Sequence, residues 1–207
     1  MERRRGLWST LRSAAIYSKL QNILGAERAR QIIVANHIHP TARSRVLDVG
    51  CGPCDFLPHL GDVIYTGVDH SEAYIEAARS RFGASGTFVC GDITDLALAH
   101  QQFDIVMAIG VLHHLDDPSV SKLMGHISQV LGPGGRFITF DGVRESGQHP
   151  IGRLLKELDR GRYIRTADDY LDLVKPTFAD TRKTIYRNLA RVPYSHLVIE
   201  AQREPRP

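Results

Sequence analysis

From residue 45 onward, short apolar runs alternate with longer stretches whose apolar positions recur every three or four residues. Four to seven apolar residues bounded by Gly or Asp suit a buried strand, and the longer period suits a helix packed beside it. The pattern predicts strands near 46–49, 64–69, 87–90, 103–109 and 135–141, with helices near 53–60, 71–82, 118–131 and 167–174. Two late strands, near 180–187 and 195–202, complete the set. Strand and helix in alternation make successive βαβ units, so the fold class is α/β: a doubly wound, mainly parallel, seven-stranded sheet. Punctuation agrees with this division. Ser71 is a good N-cap with Glu72 behind it, Arg79 and Arg81 complement the dipole at the far end, and Gly83 stops the helix. Leu131-Gly132-Pro133-Gly134-Gly135 closes a helix and opens a strand. Before the first strand, Leu7, Leu11, Ile16, Leu20, Ile23 and Leu24 recur near helical spacing. They predict a helical cap over 1–40, with 41–207 as the ligand-binding domain and the whole as one structural unit.

Composition narrows the class of protein. At 207 residues, 43% hydrophobic and 24% charged, the chain suits one folded domain and neither disorder nor a fibre. A formal charge of +3 is too mild to argue for nucleic acid, which is not expected as a partner. No apolar run approaches the roughly 18 residues of a membrane helix, so no integral membrane association is expected. Arg12 and Lys19 interrupt any signal-peptide core, and a cytoplasmic location is the expectation. Arg3, Arg4, Arg5 and Arg12 among Ser and Leu overlap with transit-peptide composition; a frayed basic tail is the plainer account. Cys51, Cys54 and Cys90 make no even disulfide framework, as fits a reducing compartment. No second Cys or His pair stands at zinc-finger spacing, so no metal site is expected.

The chemistry concentrates where strands end. Val46-Leu47-Asp48-Val49-Gly50-Cys51-Gly52-Pro53 runs a buried strand into a glycine turn, where backbone can approach a nucleoside closely. The dinucleotide pattern would require glycine at 55, and the chain has Asp55. Asp48 and Asp55 both oppose a pyrophosphate and favour a cationic ligand. S-adenosylmethionine, with an ammonium and a sulfonium and no phosphate, has that character. Asp69 ends the second strand some 20 residues on, where Rossmann-type folds bind ribose hydroxyls; a helix-capping aspartate is the alternative. Gly91-Asp92-Ile93 ends the third strand, with Asp92 placed to accept from an adenine amino group and Ile93 to pack on the ring.

These segments, VLDVGCG (46–52), GVDHS (67–71), GDI (91–93), FDIVMAIGVLHHLDD (103–117) and LGPGGRFI (131–138), resemble class I S-adenosylmethionine-dependent methyltransferases, in the branch acting mainly on small molecules and lipids. The resemblance covers about 40–141 in register and implies a Rossmann-like methyltransferase fold with S-adenosylmethionine as cofactor. It implies a pocket lined by Asp48, Gly50, Cys51, Gly52, Asp69, His70, Gly91, Asp92, Ile93, Ile109, Gly110 and His114. The sequence departs at Cys54, where that family usually has a third glycine. Cys51-Gly52-Pro53-Cys54 also reads as a redox C-x-x-C, but the preceding tryptophan of thioredoxin-like sites is missing and the later motifs would go unexplained.

His113 and His114 follow the fourth strand and Asp141 ends the fifth, so these three are the candidates for proton removal, with helix start and cofactor packing as the plainer role of the histidine pair. The acceptor is expected to be a small or lipid-like molecule, with Tyr17, His149, Arg162 and Tyr163 as candidate contacts; Trp8 and Tyr170 are further aromatic candidates. Between 144 and 165 the basic residues Arg144, Arg153, Lys156, Arg160, Arg162 and Arg165 outnumber Glu145, Glu157 and Asp159. That excess points to an anionic group on the acceptor, or to a solvated face. The Asn/Asp-Pro-Pro-aromatic and Pro-Cys runs of adenine- and cytosine-modifying enzymes are replaced here by Ile109-Gly110-Val111-Leu112. Two other readings stay open: a catalytically silent cofactor-binding partner subunit, and a nicotinamide-dependent oxidoreductase.

Overall fold

In a computed structural model the chain is described over residues 26–93, 101–147, 162–189 and 193–203. Seven strands, β1 (Arg45–Val49), β2 (Ile64–Asp69), β3 (Thr87–Cys90), β4 (Phe103–Ile109), β5 (Leu131–Gly142), β6 (Asp180–Tyr186) and β7 (His196–Gln202), form one sheet. Their order is β3-β2-β1-β4-β5-β7-β6. The first five run parallel, and β7 lies antiparallel between β5 and β6.

Parallel strands buried on both sides carry apolar residues on both faces, and β1 shows why. Val46 packs into one core with Ile105, Met107 and Ile138, while Leu47 and Val49 pack into the other with Val106 and Ala108. Helices cover each face. Ala29 and Ile33 of α1 (Ala26–Ile33) and Ile75 and Ala78 of α2 (Glu72–Phe82) close the first core. Val120, Leu123, Met124 and Ile127 of α3 (Asp117–Val130), with Tyr170, Leu171 and Val174 of α4 (Ala167–Val174), close the second. Strand order reverses between β1 and β4, so a crevice opens there at the carboxyl ends of the strands, where such sheets bind ligands.

A five-residue π turn, Val34–Ile38, continues α1 and is pinned to the antiparallel edge. His37 sits between Glu200 (2.8 Å) and the Tyr186 hydroxyl (2.7 Å), and Arg136 donates to the carbonyls of His37 and Ile38. Of the expected cap over 1–40, only the part from Ala26 lies within the described residues.

Three local expectations need correction. The helix expected over 53–60 is a run of turns ending in a 3-10 turn, Leu57–His59. Gly52 and Cys54 both take positive φ (52° and 58°), which no right-handed helix accommodates. Ser71 occupies the N-cap of α2, but its side chain makes no capping bond; its own N–H instead donates to Asp69 Oδ1 at 2.8 Å. β5 begins at Leu131, not near 135, because Leu131 already pairs with Phe103 and a register shift absorbs the glycine-rich turn before Arg136 meets Ile105.

Candidate functional site

The first loop of the crevice is Gly50-Cys51-Gly52, folded back by N–H groups of Gly50 and Cys51 that donate to Val68 O at 2.8 and 3.0 Å. Gly50 (φ 66°) and Gly52 (φ 52°) supply the left-handed backbone that the reversal needs. A Cβ on Gly50 would also lie 2.7 Å from a Val111 methyl. Asp69 holds this loop. Its Oδ2 accepts from Gly52 N at 2.9 Å and its Oδ1 from Ser71 N at 2.8 Å. Each carboxylate oxygen has two lone pairs, so two acceptor positions remain after the backbone has been satisfied. Asp69 is thus the loop anchor, with acceptor capacity to spare. The capping alternative raised from sequence is half right, since the carboxylate does organise the start of α2.

Two other acids are placed differently from expectation. Asp55 is held by Arg81 at 2.6 Å and Arg30 at 3.2 Å, so its charge is matched by helices on the outer side of the loop. The part of the cationic-ligand argument that relied on Asp55 therefore falls away. Asp48 lies beneath the loop at 3% exposure and accepts from Tyr65 Oη at 2.7 Å. Burial pushes its carboxyl up to about 7; the Tyr65 hydrogen bond opposes this and the nearby Asp69 charge adds to it. Asp48 is therefore part-protonated near neutral pH, which weakens its share of the preference for a cationic ligand.

Cys51 and Cys54 are buried free thiols converging on Gly67, where an added Cβ would meet both sulfurs at 2.9 and 3.2 Å. The hydrogen bond with Cys54, and then burial, push the Cys51 thiol far above its ordinary range. A redox nucleophile needs the opposite shift. The positive φ of Cys54 is the backbone conformation that the usual glycine would supply.

Further along the edge, Gly91 and Ile93 follow β3, Asp92 is exposed between them, and Ile109 and Gly110 (φ 71°) end β4. His70 is beside Asp69 (3.6 Å), with its side chain 91% exposed. The 3-10 turn Leu112–His114 carries the histidine pair. His113 is buried against Asp141, with Nδ1 2.7 Å and the backbone N 3.2 Å from the same Oδ1, while the Thr139 hydroxyl lies against Oδ2. Asp141 is 2% exposed and committed on both oxygens, which makes it the partner that orients His113. His114 is exposed, its ring 4.1 Å from that of His113.

His114 opens into a cleft of about 360 Å³ lined also by Leu115, Asp116, Ser119, Arg162 and Tyr163. Arg162 and Tyr163, expected as acceptor contacts, are thus brought to the same recess as His114. Tyr17 and His149, like Trp8, Arg153, Lys156 and Arg160, lie outside the described residues. Tyr170 is core, 1% exposed, its hydroxyl donating to Gly142 O. Arg165 is no surface charge either: it is buried and hydrogen-bonded to the histidine turn.

The sequence reading missed a group of rings at the end of β5. Phe140 and His196 stack at 4.8 Å, and Tyr194 packs on His196 at 4.9 Å, over the backbone of Gly142. The one available signal was an aromatic at the end of a strand, too common to single out. Among the described residues no group of His, Cys, Asp or Glu is arranged to hold a metal ion, and no helix is long and apolar enough to cross a membrane.

The glycine loop leaves backbone open for close approach, with the Asp69 carboxylate beside it and Asp92 and Ile93 on the same edge beyond β3. A family model described as a methyltransferase domain matches residues 46–135. An O-methyltransferase of Pyrenophora dematioidea is 33% identical over 122 residues, covering 55% of this chain and 45% of that protein. A ubiquinone biosynthesis O-methyltransferase of Thiobacillus denitrificans is 29% identical over 150 residues, 66% of this chain and 61% of that protein. The chain thus spans less than two thirds of either relative. The structure of a magnesium protoporphyrin IX methyltransferase from Synechocystis with bound SAH superposes with a TM-score of 0.66 at 20% identity, covering 87% of this chain and 84% of that one. The sheet order, the glycine loop with its carboxylate and the matched segment point the same way: residues 46–135 match a methyltransferase domain, set in a fold similar to that of class I S-adenosylmethionine-dependent methyltransferases.

Proposed function

We propose that the protein transfers a methyl group from S-adenosylmethionine to an oxygen, nitrogen or carbon nucleophile of a small or lipid-like acceptor that carries an anionic group. The observation that carries this reading is the cleft beyond the carboxyl end of β4, where His114, Arg162 and Tyr163 meet. Bound S-adenosylmethionine supplies an electrophilic methyl on sulfur. Displacement there is in line, so the protein's main task is to hold the acceptor nucleophile against that methyl and exclude water. Gly50, Cys51, Gly52, Asp69, His70, Gly91, Asp92, Ile93, Ile109 and Gly110 are the proposed cofactor contacts, with Asp48 acting from beneath the loop. His114 faces the cleft and is the proposed base where the acceptor must lose a proton, with His113 held behind it by Asp141. Arg162 is exposed at the cleft and has no partner among the described residues, which supports its pairing with a carboxylate or phosphate.

Calorimetric titration with S-adenosylmethionine, NAD and NADP tests the cofactor, and binding of a nicotinamide cofactor in its place would overturn the reading. Transfer of labelled methyl to matched acceptor pairs, one member carrying a carboxylate or phosphate and the other its neutral ester, tests the acceptor class. The anionic member should be preferred; equal turnover of both removes the anionic part of the proposal. Cofactor binding with no transfer to any acceptor would favour the silent-subunit reading.

A further inference from the structure

Arg165 carries a role that its sequence context hides. A guanidinium has five N–H donors, and here all five are matched by acceptors on three segments. Nη1 donates to Leu112 O at 2.9 Å and Tyr163 O at 3.1 Å. Nη2 donates to Leu115 O at 2.7 Å and to Asp117 Oδ1 at 2.6 Å, and Nε to the same Oδ1 at 2.9 Å. The group is 8% exposed, its carbon 5.7 Å from the Tyr163 ring centre and 5.5 Å from that of Tyr170. Backbone bonds run the same way: Tyr163 N donates to His113 O at 2.9 Å, and Arg144 N to Arg165 O at 2.8 Å.

The turn so held is Leu112–His114, three residues of 3-10 helix whose own hydrogen bonds cannot fix its orientation. It bears both histidines, and the segment that grips it bears Arg162 and Tyr163, which line the cleft with His114. We propose that Arg165 is the positioning residue of the site, locking the histidine turn to the acceptor-side segment so that His113 stays on Asp141 and His114 keeps its place opposite Arg162 and Tyr163. The consequence for turnover rests on the methyl-transfer reading above; the consequence for the geometry of His113 does not. Among the described residues Arg165 bonds to none of the loops at the ends of β1, β2 and β3, so its removal should affect turnover more than cofactor affinity.

The test uses the full chain with Arg165→Gln, Arg165→Lys and Asp117→Asn. Nitrogen-15 histidine spectra read the Nδ1–H of His113 that the Asp141 contact protects. In the wild type this proton should exchange slowly, and Asp117→Asn should leave it unchanged because the three carbonyl contacts remain. Arg165→Gln should lose the protected signal while affinity for S-adenosylhomocysteine stays within about twofold; with a working acceptor, kcat should fall about tenfold or more and KM for S-adenosylmethionine should hold. Arg165→Lys, a point charge that cannot reach three carbonyls at once, should fall between, and added guanidinium should recover part of the Arg165→Gln loss. A wild-type His113 spectrum in Arg165→Gln, or equal loss of cofactor affinity and turnover, would overturn the proposal. Should Arg165→Gln not fold, the Arg165→Lys spectrum decides. Failure of the wild-type chain to bind S-adenosylhomocysteine would count against the methyltransferase reading alone, leaving the spectra to judge Arg165.

Discussion

Two loops on the same sheet edge are held by buried charges of opposite sign acting on opposite backbone groups. At the end of β1 the Asp69 carboxylate gathers the N–H groups of Gly52 and Ser71; after β4 the Arg165 guanidinium gathers the carbonyls of Leu112, Leu115 and Tyr163. The difference lies in what is left over. Asp69 retains two acceptor positions after satisfying the backbone, so one side chain can both build the loop and bind a ligand. Arg165 has no donor left, which makes it scaffold. An anion with spare lone pairs and a cation with every donor spent imply different outcomes when each is removed.

The largest effect is expected at Asp69. Replacing it with alanine removes the loop anchor and two acceptors for ribose hydroxyls, each charged hydrogen bond being worth about 1.5–3 kcal/mol. Affinity for S-adenosylmethionine should fall about 100-fold or more by calorimetry. Asp69→Asn should lose less, because one carbonyl oxygen remains, although its amide group must face one of the two N–H donors. Affinity within about threefold of wild type in Asp69→Ala would break the contrast, leaving Asp69 as scaffold like Arg165.

The neighbouring carboxylate sharpens the comparison through pH. Asp48 titrates at about 7 when folded, against an ordinary value of 3.8, because it is buried. The folded state therefore binds this proton more tightly than the unfolded one, and stability from this group is complete at low pH and lost as pH rises toward 7. Asp48→Asn keeps an acceptor for the Tyr65 hydroxyl and has no charge to bury. Denaturant unfolding at pH 5 and pH 8 should show the wild type losing stability relative to Asp48→Asn between those values, by on the order of a few kcal/mol. A difference independent of pH would mean that Asp48 is ionised throughout.

Legibility in the sequence follows the distance between partners. The strands at 64–69, 87–90 and 103–109 coincide with β2, β3 and β4, because a buried parallel strand between glycine and aspartate stops is a local pattern. Asp69 could be singled out because an acid at the end of the second strand, some 20 residues after the glycine turn, is a local spacing, and the structure puts it on Gly52 N. Arg165 reaches Leu112 across 53 residues and His113 reaches Asp141 across 28, and no local signal links either pair. Asp55 was misjudged for the same reason, since Arg30 and Arg81 are 25 and 26 residues distant. The failed helix over 53–60 has another origin: nothing in the residue type of Cys54 announces a left-handed backbone.

Arg162 gives a smaller effect and contrasts two arginines three residues apart. It is exposed at the cleft where Arg165 is buried beneath it. Arg162→Ala should leave thermal stability within about 0.5 kcal/mol of wild type, as for most surface changes. With an anionic acceptor it should raise KM about three- to fivefold and flatten its rise with salt, the scale of one exposed ion pair. An unchanged KM and salt dependence would return Arg162 to the solvated surface.

The smallest effect concerns Cys54, where the cofactor loop departs from the glycine that the family resemblance leads one to expect. Its φ of 58° is a conformation that costs a side-chain-bearing residue about 1–2 kcal/mol and glycine very little. The thiol is fully buried against Gly67, and removing it forfeits a contribution of similar size. Cys54→Gly therefore trades one against the other and should lie within about 1 kcal/mol of wild type. Cys54→Ala loses the sulfur and keeps the strained backbone, so it should be the less stable of the two by about 1 kcal/mol, although it is the milder change in size. Cofactor affinity should stay within about twofold in both, since the Asp69 carboxylate that holds Gly52 N and the Cys54 backbone N–H on Cys51 O are kept. Denaturant midpoints of the pair decide the matter: alanine equal to or above glycine would mean that the left-handed turn at 54 is absent in solution and that the loop takes another path to the cofactor.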